Sequence, residues 1–165
     1  MSPILDRHSL EIISRSSEQT RRVGMRLGAL LQPSDVVGLE GDLGSGKTTL
    51  VQGIAAGWGS LDPVSSPTFV LVKVYRHLDK QRLHHLDAYR LSSPAEAIDL
   101  DLERMLAEGP LIIEWADRIK SALPKEHLWV NLKWLDETQR NFLFSPRGDR
   151  YQTLVRNFRD RIFRV

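Results

Sequence analysis

The chain has 165 residues, 41% of them hydrophobic and 27% charged, which is ordinary globular composition and excludes wholesale disorder. A length of this order buries about two-thirds of the unfolded surface and predicts one domain spanning residues 1–165. Cysteine is absent, which excludes disulfide scaffolds, thiol catalysis and cysteine-ligated zinc, and 23 basic against 21 acidic residues leave a net charge of +2, too weak to point to nucleic acid by itself. No apolar run reaches the roughly 20 residues that cross a bilayer, and the N-terminal stretch carries no secretory apolar region, so a cytoplasmic protein is expected.

Residues 16–32 read as a helix: Ser16 with Gln19 fits a capping box, and Val23, Leu27, Leu30 and Leu31 make one apolar face. Gln32-Pro33-Ser34-Asp35 turns the chain into a short buried strand, Asp35 to Glu40. After a glycine-rich loop, Thr48 to Trp58 predicts a helix with Leu50, Val51, Ile54 and Trp58 inward, ended by Gly57 and Gly59. A break at Ser65-Ser66-Pro67 precedes a hairpin of Thr68 to Tyr75 and Arg82 to Ala88. Ser93-Pro94-Ala95-Glu96 is a helix start in which Ser93 caps and Glu96 closes the box, with Ile98, Leu102, Met105 and Leu106 as the apolar face and Gly109-Pro110 as the stop. Leu111 to Trp115 is a further buried strand. Leu128 to Leu135 and Arg140 to Phe144 form a second hairpin around Asp136-Glu137-Thr138, and an amphipathic helix runs from about Asp149 to Ile162. Early alternation of strand and helix with internal hairpins predicts an α/β layer fold with a mixed sheet.

Gly41 to Thr48 (GDLGSGKT) fits G-x-x-x-x-G-K-[ST] at every fixed position, between an apolar strand and an amphipathic helix as this motif requires. The spacing has a chemical reason. Gly41, Gly44 and Gly46 let the backbone wrap an anion, successive N–H groups form a nest, and the following helix adds its positive end. Lys47 supplies charge for the β- and γ-phosphates and Thr48 a hydroxyl for Mg²⁺. The metal shell needs an acid at the end of a hydrophobic strand. Glu114, closing Leu111-Ile112-Ile113, is the better candidate; Asp87, closing Leu83 to Leu86, is a water-orienting or second metal-shell group.

Thr68 is either a γ-phosphate sensor or an ordinary first residue of a strand. His84, His85 and Asp87 read better as a polar strand end than as a metal site, and Trp115 as either a stacking surface or a half-buried core residue. The Asn-Lys-x-Asp stretch of guanine recognition is missing, which favours ATP. A small-molecule kinase needs lid arginines, and only Arg90 and Arg104 stand between the second strand pair and Glu114, which weakens that alternative; a nucleotide-sensing module without turnover is a third possibility.

Together GDLGSGKT at Gly41–Thr48, SPTF at Ser66–Phe69, HLDAYRL at His85–Leu91 and EWAD at Glu114–Asp117 resemble the TsaE (formerly YjeE) family, in order, spacing and total length, over roughly residues 16 to 135. The family is the small ATPase of bacterial tRNA threonylcarbamoyladenosine synthesis. The resemblance implies a P-loop NTPase-like three-layer α/β fold with a mixed, partly parallel sheet. It implies ATP bound with Mg²⁺ and hydrolysed slowly alone, and assembly with TsaB and TsaD. In that complex TsaD, not this chain, transfers the threonylcarbamoyl group to adenosine 37 of tRNAs reading ANN codons, and ATP turnover resets the cycle; tRNA is met through the complex. On this pattern Leu43, Gly44, Ser45, Gly46, Lys47, Thr48, Thr49 and Thr68 bind the nucleotide, Thr48 and Glu114 hold the metal, and Lys47, Asp87 and Glu114 carry catalysis. A further contact falls at the first helix start, near Ser17 or Glu18, and another in the late hairpin, near Lys133 or Arg140. The sequence supplies no obvious cis arginine finger near the phosphate segments, which fits slow hydrolysis completed by a partner.

Residues 146–165 hold six arginines (Arg147, Arg150, Arg156, Arg159, Arg161, Arg164) and two aspartates, a net +4. The favoured reading is a solvated helix face whose arginine stems cover apolar edges; the competing one is an RNA-phosphate surface.

Overall fold

The computed structural model describes residues 7–64 and 71–163. Its elements in chain order are β1 (Leu10–Ser14), α1 (Ser17–Gly28), β2 (Val36–Glu40), α2 (Lys47–Trp58), β3 (Val72–Arg76), β4 (Arg82–Asp87), α3 (Pro94–Ile98), α4 (Leu102–Glu108), β5 (Leu111–Glu114), a 3₁₀ segment (Ala116–Ala122), β6 (His127–Trp134), β7 (Arg140–Arg147) and α5 (Asp149–Phe163). The strands form one sheet in the order β1-β7-β6-β2-β5-β4-β3. The central pairs β6/β2, β2/β5 and β5/β4 are parallel, while β1/β7, β7/β6 and β4/β3 are antiparallel. The expected α/β fold with a mixed, partly parallel sheet and hairpins is therefore what forms.

Period-two alternation separates two cores on the two sheet faces. Along β5, Ile112 joins one cluster with Leu27, Leu50, Ile54, Leu154 and Phe158 of α1, α2 and α5. Its neighbours Leu111 and Ile113 join the other, with Ala97 and Met105 of α3 and α4 and Ile119 of the 3₁₀ segment. Helices cover both faces, which is the three-layer arrangement that hides a parallel sheet from water.

Helices α1 and α2 touch backbone to backbone. A Cβ on Gly28 would stand 2.0 Å from the Ile54 carbonyl oxygen, and one on Gly57 would stand 1.9 Å from that of Met25. Only glycine tolerates such an approach. Gly24 against Leu50 and Gly53 against Arg21 continue this approach toward the starts of the two helices.

Several local expectations are corrected. Strand β1 was not foreseen: it is a short edge strand whose Ile13 is half exposed, so it lacks clean alternation. Helix α1 ends at Gly28 instead of residue 32, because the Asp35 carboxylate accepts from Gln32 N–H at 2.7 Å and binds Arg150 at 2.7 Å, fixing the turn between. The single helix expected after Ser93 breaks in two at Asp101, which takes φ 58 and caps α4, and Ile98, expected on the apolar face, is 71% exposed. Ser93 makes no side-chain cap; Glu96 bonds the amide and hydroxyl of Ser92 instead. Strand β7 runs on past Phe144 through Pro146, which pairs opposite Leu128. Of the first strand of the earlier hairpin, residues 71–76 are described; Thr68, Ser66 and Phe69 lie outside the described residues.

Two of the four arginines of helix α5 bond within the fold, while Arg156 and Arg161 are exposed. Arg150 grips Asp35 with two nitrogens, at 3.0 and 2.7 Å, and Arg159 donates to the Ser9 carbonyl at 3.0 Å. Among the described residues, no helix is long and apolar enough to cross a membrane.

Candidate functional site

Strand β2 ends at the centre of the parallel strands, and the loop 41–46 turns from it into α2. Gly44 and Gly46 take φ of 80° and 100°, left-handed values that glycine alone adopts without strain. A Cβ on Gly41 would meet the Leu132 carbonyl and Ser45 Oγ, both at 2.6 Å, whereas around Gly44 the space is open. The loop is thus pressed against β6 at its root and unobstructed at its tip. Gly46 occupies the cap position of α2 with no side chain across it, so the helix presents free amides there.

Lys47 is buried at the first turn. Its ammonium donates to the carbonyls of Gly41 and Asp42, the latter at 2.8 Å, and to Ser45 Oγ at 3.3 Å, and it sits 4.1 Å above the Trp115 ring. Burial lowers its pKa, while the carboxylates of Glu114, Asp42, Asp117 and Asp87 pull the other way and favour the charged form.

A cleft of about 420 Å³ opens over this helix end, within the size range of small-molecule sites, lined by Leu43, Gly44, Gly46, Lys47, Thr48, Thr49, Asp87, Glu114, Trp115 and Arg140. The register Asp87↔Glu114 brings both acids to the ends of adjacent parallel strands on one sheet face. Parallel α/β sheets bind ligands at this edge. Asp87 is half-buried and its Oδ1 accepts from Tyr89 N–H at 2.9 Å. Glu114 is buried, and its Oε2 lies 2.5 Å from His85 Nε2.

A second cleft of about 300 Å³ shares Gly46, Thr49 and Arg140 with the first and is lined by Arg15, Ser16, Ser17, Thr20, Glu137 and Thr138 as well. Strand β1 delivers the first of these: Ser14 Oγ bonds the Thr20 hydroxyl at 2.7 Å, and Ser16 Oγ accepts from Gln19 N–H at 3.1 Å. Of the helix-start candidates, Ser17 lines this cleft and Glu18 does not. Of the late-hairpin candidates, Arg140 lines both clefts and donates to the Gly44 carbonyl at 2.9 Å, while Lys133 lies in a different groove with Trp134 and Asp117. An arginine does therefore reach the loop 41–46, from a position 96 residues away in sequence. Two more carbonyls, of Asp136 at 2.6 Å and Gln139 at 3.0 Å, hold its guanidinium.

Sequence reasoning did not find the roles of the two adjacent histidines, which part to opposite sheet faces. His84 packs toward Glu108, with Nε2 3.3 Å from its carboxylate. His85 sits between Tyr75 and Glu114. Trp115, at φ 58, is half-buried and stacks with Tyr89 at 4.9 Å, and Arg118 lies 4.9 Å over the Tyr89 ring. No group of three or more His, Asp or Glu side chains forms a metal cage among the described residues. The donor set is instead one hydroxyl, Thr48, facing one or two carboxylates across an open cleft. That suits a hard octahedral cation such as Mg²⁺, which keeps waters and takes its remaining ligands from phosphate.

Comparison with known proteins agrees with this architecture. Residues 14–142 match the family model described as Threonylcarbamoyl adenosine biosynthesis protein TsaE. The chain is 38% identical over 137 residues to the tRNA threonylcarbamoyladenosine biosynthesis protein TsaE of Bacillus subtilis, covering 83% of this chain and 85% of that one. It is 36% identical over 132 residues to the same-named protein of Treponema pallidum, covering 79% and 96%. The crystal structure of Bacillus subtilis YdiB superposes with a TM-score of 0.79 at 29% identity, covering 98% of this chain and 99% of that one. With its glycine-framed loop, its paired strand-end carboxylates and these relatives along most of its length, the chain belongs to the TsaE family of tRNA threonylcarbamoyladenosine biosynthesis proteins.

Proposed function

We propose that the chain binds ATP with Mg²⁺ in the two joined clefts and hydrolyses it slowly, as the ATPase subunit of a cytoplasmic complex with TsaB and TsaD. That complex forms the N6-threonylcarbamoyl group on adenosine 37 of tRNAs reading ANN codons. The observation that carries this reading is the phosphate cradle at residues 41–48, which faces Asp87 and Glu114 at the ends of β4 and β5. Amides of Leu43 to Thr49 would bind the polyphosphate, and Lys47 would exchange its loop carbonyls for phosphate oxygens. The smaller cleft, with Ser17 at its rim and Arg140 at its junction with the larger, suits the nucleoside.

Thr48 and Glu114 are the residues that would hold Mg²⁺, which when bound neutralises charge on the β- and γ-phosphate oxygens. Asp87 would orient water, and Thr68 belongs to this reading as the γ-phosphate sensor. Arg140 is held by three carbonyls, and a partner supplying charge at the γ-phosphate would account for slow turnover without it. In this reading tRNA is met through the complex, with Arg150 and Arg159 of α5 committed to Asp35 and the Ser9 carbonyl within the fold.

The test is ATP hydrolysis by the purified chain alone and with TsaB and TsaD, with product analysis. Slow phosphate release that rises on adding both partners supports the reading. Turnover of tens per second alone, no turnover in either case, or transfer of phosphate to a small metabolite overturns it.

A further inference from the structure

Three polar side chains form a row across the edge strands, on the sheet face that α1 and α2 cover. In the antiparallel register Tyr75 faces Leu83 and Lys73 faces His85, and in the parallel register His85 faces Ile112. Tyr75, His85 and Glu114 therefore share one face, each two residues on from the position directly opposite its neighbour. All three are buried. Tyr75 OH lies 2.9 Å from His85 Nδ1, and His85 Nε2 lies 2.5 Å from Glu114 Oε2. Their neighbours on that face, Leu83 and Ile112, are fully buried and apolar. A polar row in such surroundings adds nothing that apolar side chains of like size would not give to stability.

We infer that His85, oriented by Tyr75, is a positioning residue for Glu114: it holds Oε2 by a hydrogen bond and so fixes Oε1 as the oxygen offered to the cation in the phosphate cleft. The inference deepens the role proposed above for Glu114 and rests on it. The direction of the bonds follows from the donors. Burial and the charge of Glu114 push the Tyr75 hydroxyl up to about 12, so it keeps the proton that it can donate to Nδ1. Nδ1 then accepts, the ring proton is on Nε2, and Nε2–H donates to the carboxylate. A carboxylate at the end of a four-residue strand has three side-chain torsions to restrain, and this bond restrains it through a ring that the sheet itself anchors.

The experiment measures ATP affinity by calorimetry on the full chain, in Mg²⁺ and in EDTA, for the wild type, Glu114→Gln, His85→Leu, His85→Gln and Tyr75→Phe, each checked by thermal melting. His85→Leu is expected to weaken binding about tenfold in Mg²⁺ and by less than about twofold in EDTA. His85→Gln, whose amide nitrogen falls where Nε2 was, recovers most of that loss, and Tyr75→Phe loses about threefold in Mg²⁺ alone. Equal loss with and without the cation, wild-type affinity in folded His85→Leu, or no recovery in His85→Gln overturns the inference. Should His85→Leu not fold, Tyr75→Phe decides: a loss confined to Mg²⁺ supports the relay and no loss overturns it. Glu114→Gln separates the two levels. If it keeps the full wild-type advantage of Mg²⁺ over EDTA, or the wild type has none, the role of Glu114 fails and the relay with it. If it loses that advantage while His85→Leu keeps it, the relay alone fails.

Discussion

The two flanks of the larger cleft are held in different ways. On the α2 flank the shape is made by backbone: Gly44 and Gly46 in left-handed conformations, Gly41 pressed on β6, and α1 against α2 at Gly28 and Gly57. On the β4–β5 flank the shape is made by side chains, with Glu114 held by His85, His85 by Tyr75, and Asp87 by the Tyr89 amide. A backbone-built flank fails when a side chain is added. A side-chain-built flank fails when a hydrogen bond is removed, and it fails in function before it fails in folding.

The largest contrast comes from the two charged groups that face each other. Lys47→Ala removes the cation from the cradle and should weaken ATP binding by at least about a hundredfold in titration calorimetry. Glu114→Gln should leave nucleotide binding within about tenfold and slow single-turnover hydrolysis on the order of a hundredfold, because it acts on charge that develops in the transition state. If both variants lost binding equally, the two flanks would not be separable as described.

Gly57→Ala inserts a methyl group against the Met25 carbonyl and should cost about 2–3 kcal/mol, a melting-temperature drop of roughly 4–12 °C for a chain this size. Ser17→Ala at the opposite end of α1 should leave melting within about a degree or two, since Ser16 and not Ser17 supplies the cap. A Gly57→Ala protein as stable as the wild type would show that the helices can part without cost.

The smallest effect is in pH. Burial holds the His84 pKa below its ordinary 6.5, with Arg104 and Arg82 adding to the shift and Glu108 opposing it. The folded state therefore binds the proton less readily than the unfolded chain. The stability from this group is fully present above the unfolded value and is lost as pH falls below about 6.5. Melting temperature should fall between pH 7.5 and 5.5, and His84→Gln should flatten that slope.

The backbone-built flank was the legible one. Its eight residues are contiguous, and each glycine answers a demand of local geometry, so Gly41 to Thr48 could be assigned from spacing alone. Glu114 and Asp87 were also readable, because an acid at the end of an apolar run is a local pattern. The partners of Glu114 were not: Tyr75 and His85 lie 39 and 29 residues before it and meet it only through strand register. In sequence His84, His85 and Asp87 read together as a polar strand end, and only the pleat sends the two histidines to opposite faces. Of the two late-hairpin candidates, Arg140 and Lys133, sequence could not choose, since it is strand pairing with Ser14 and Trp134 that brings Arg140 to the loop. The split at Asp101 escaped because the apolar spacing of Leu102, Met105 and Leu106 runs on from that of Pro94 to Ile98 without a glycine or proline between them.

The most direct test of the central claim is calorimetric titration of the purified chain with ATP and Mg²⁺, beside Lys47→Ala. One nucleotide bound per chain, with the heat abolished or nearly so in the variant, is the result this account predicts. No heat of association with any adenine nucleotide, or equal binding by the variant, would contradict it.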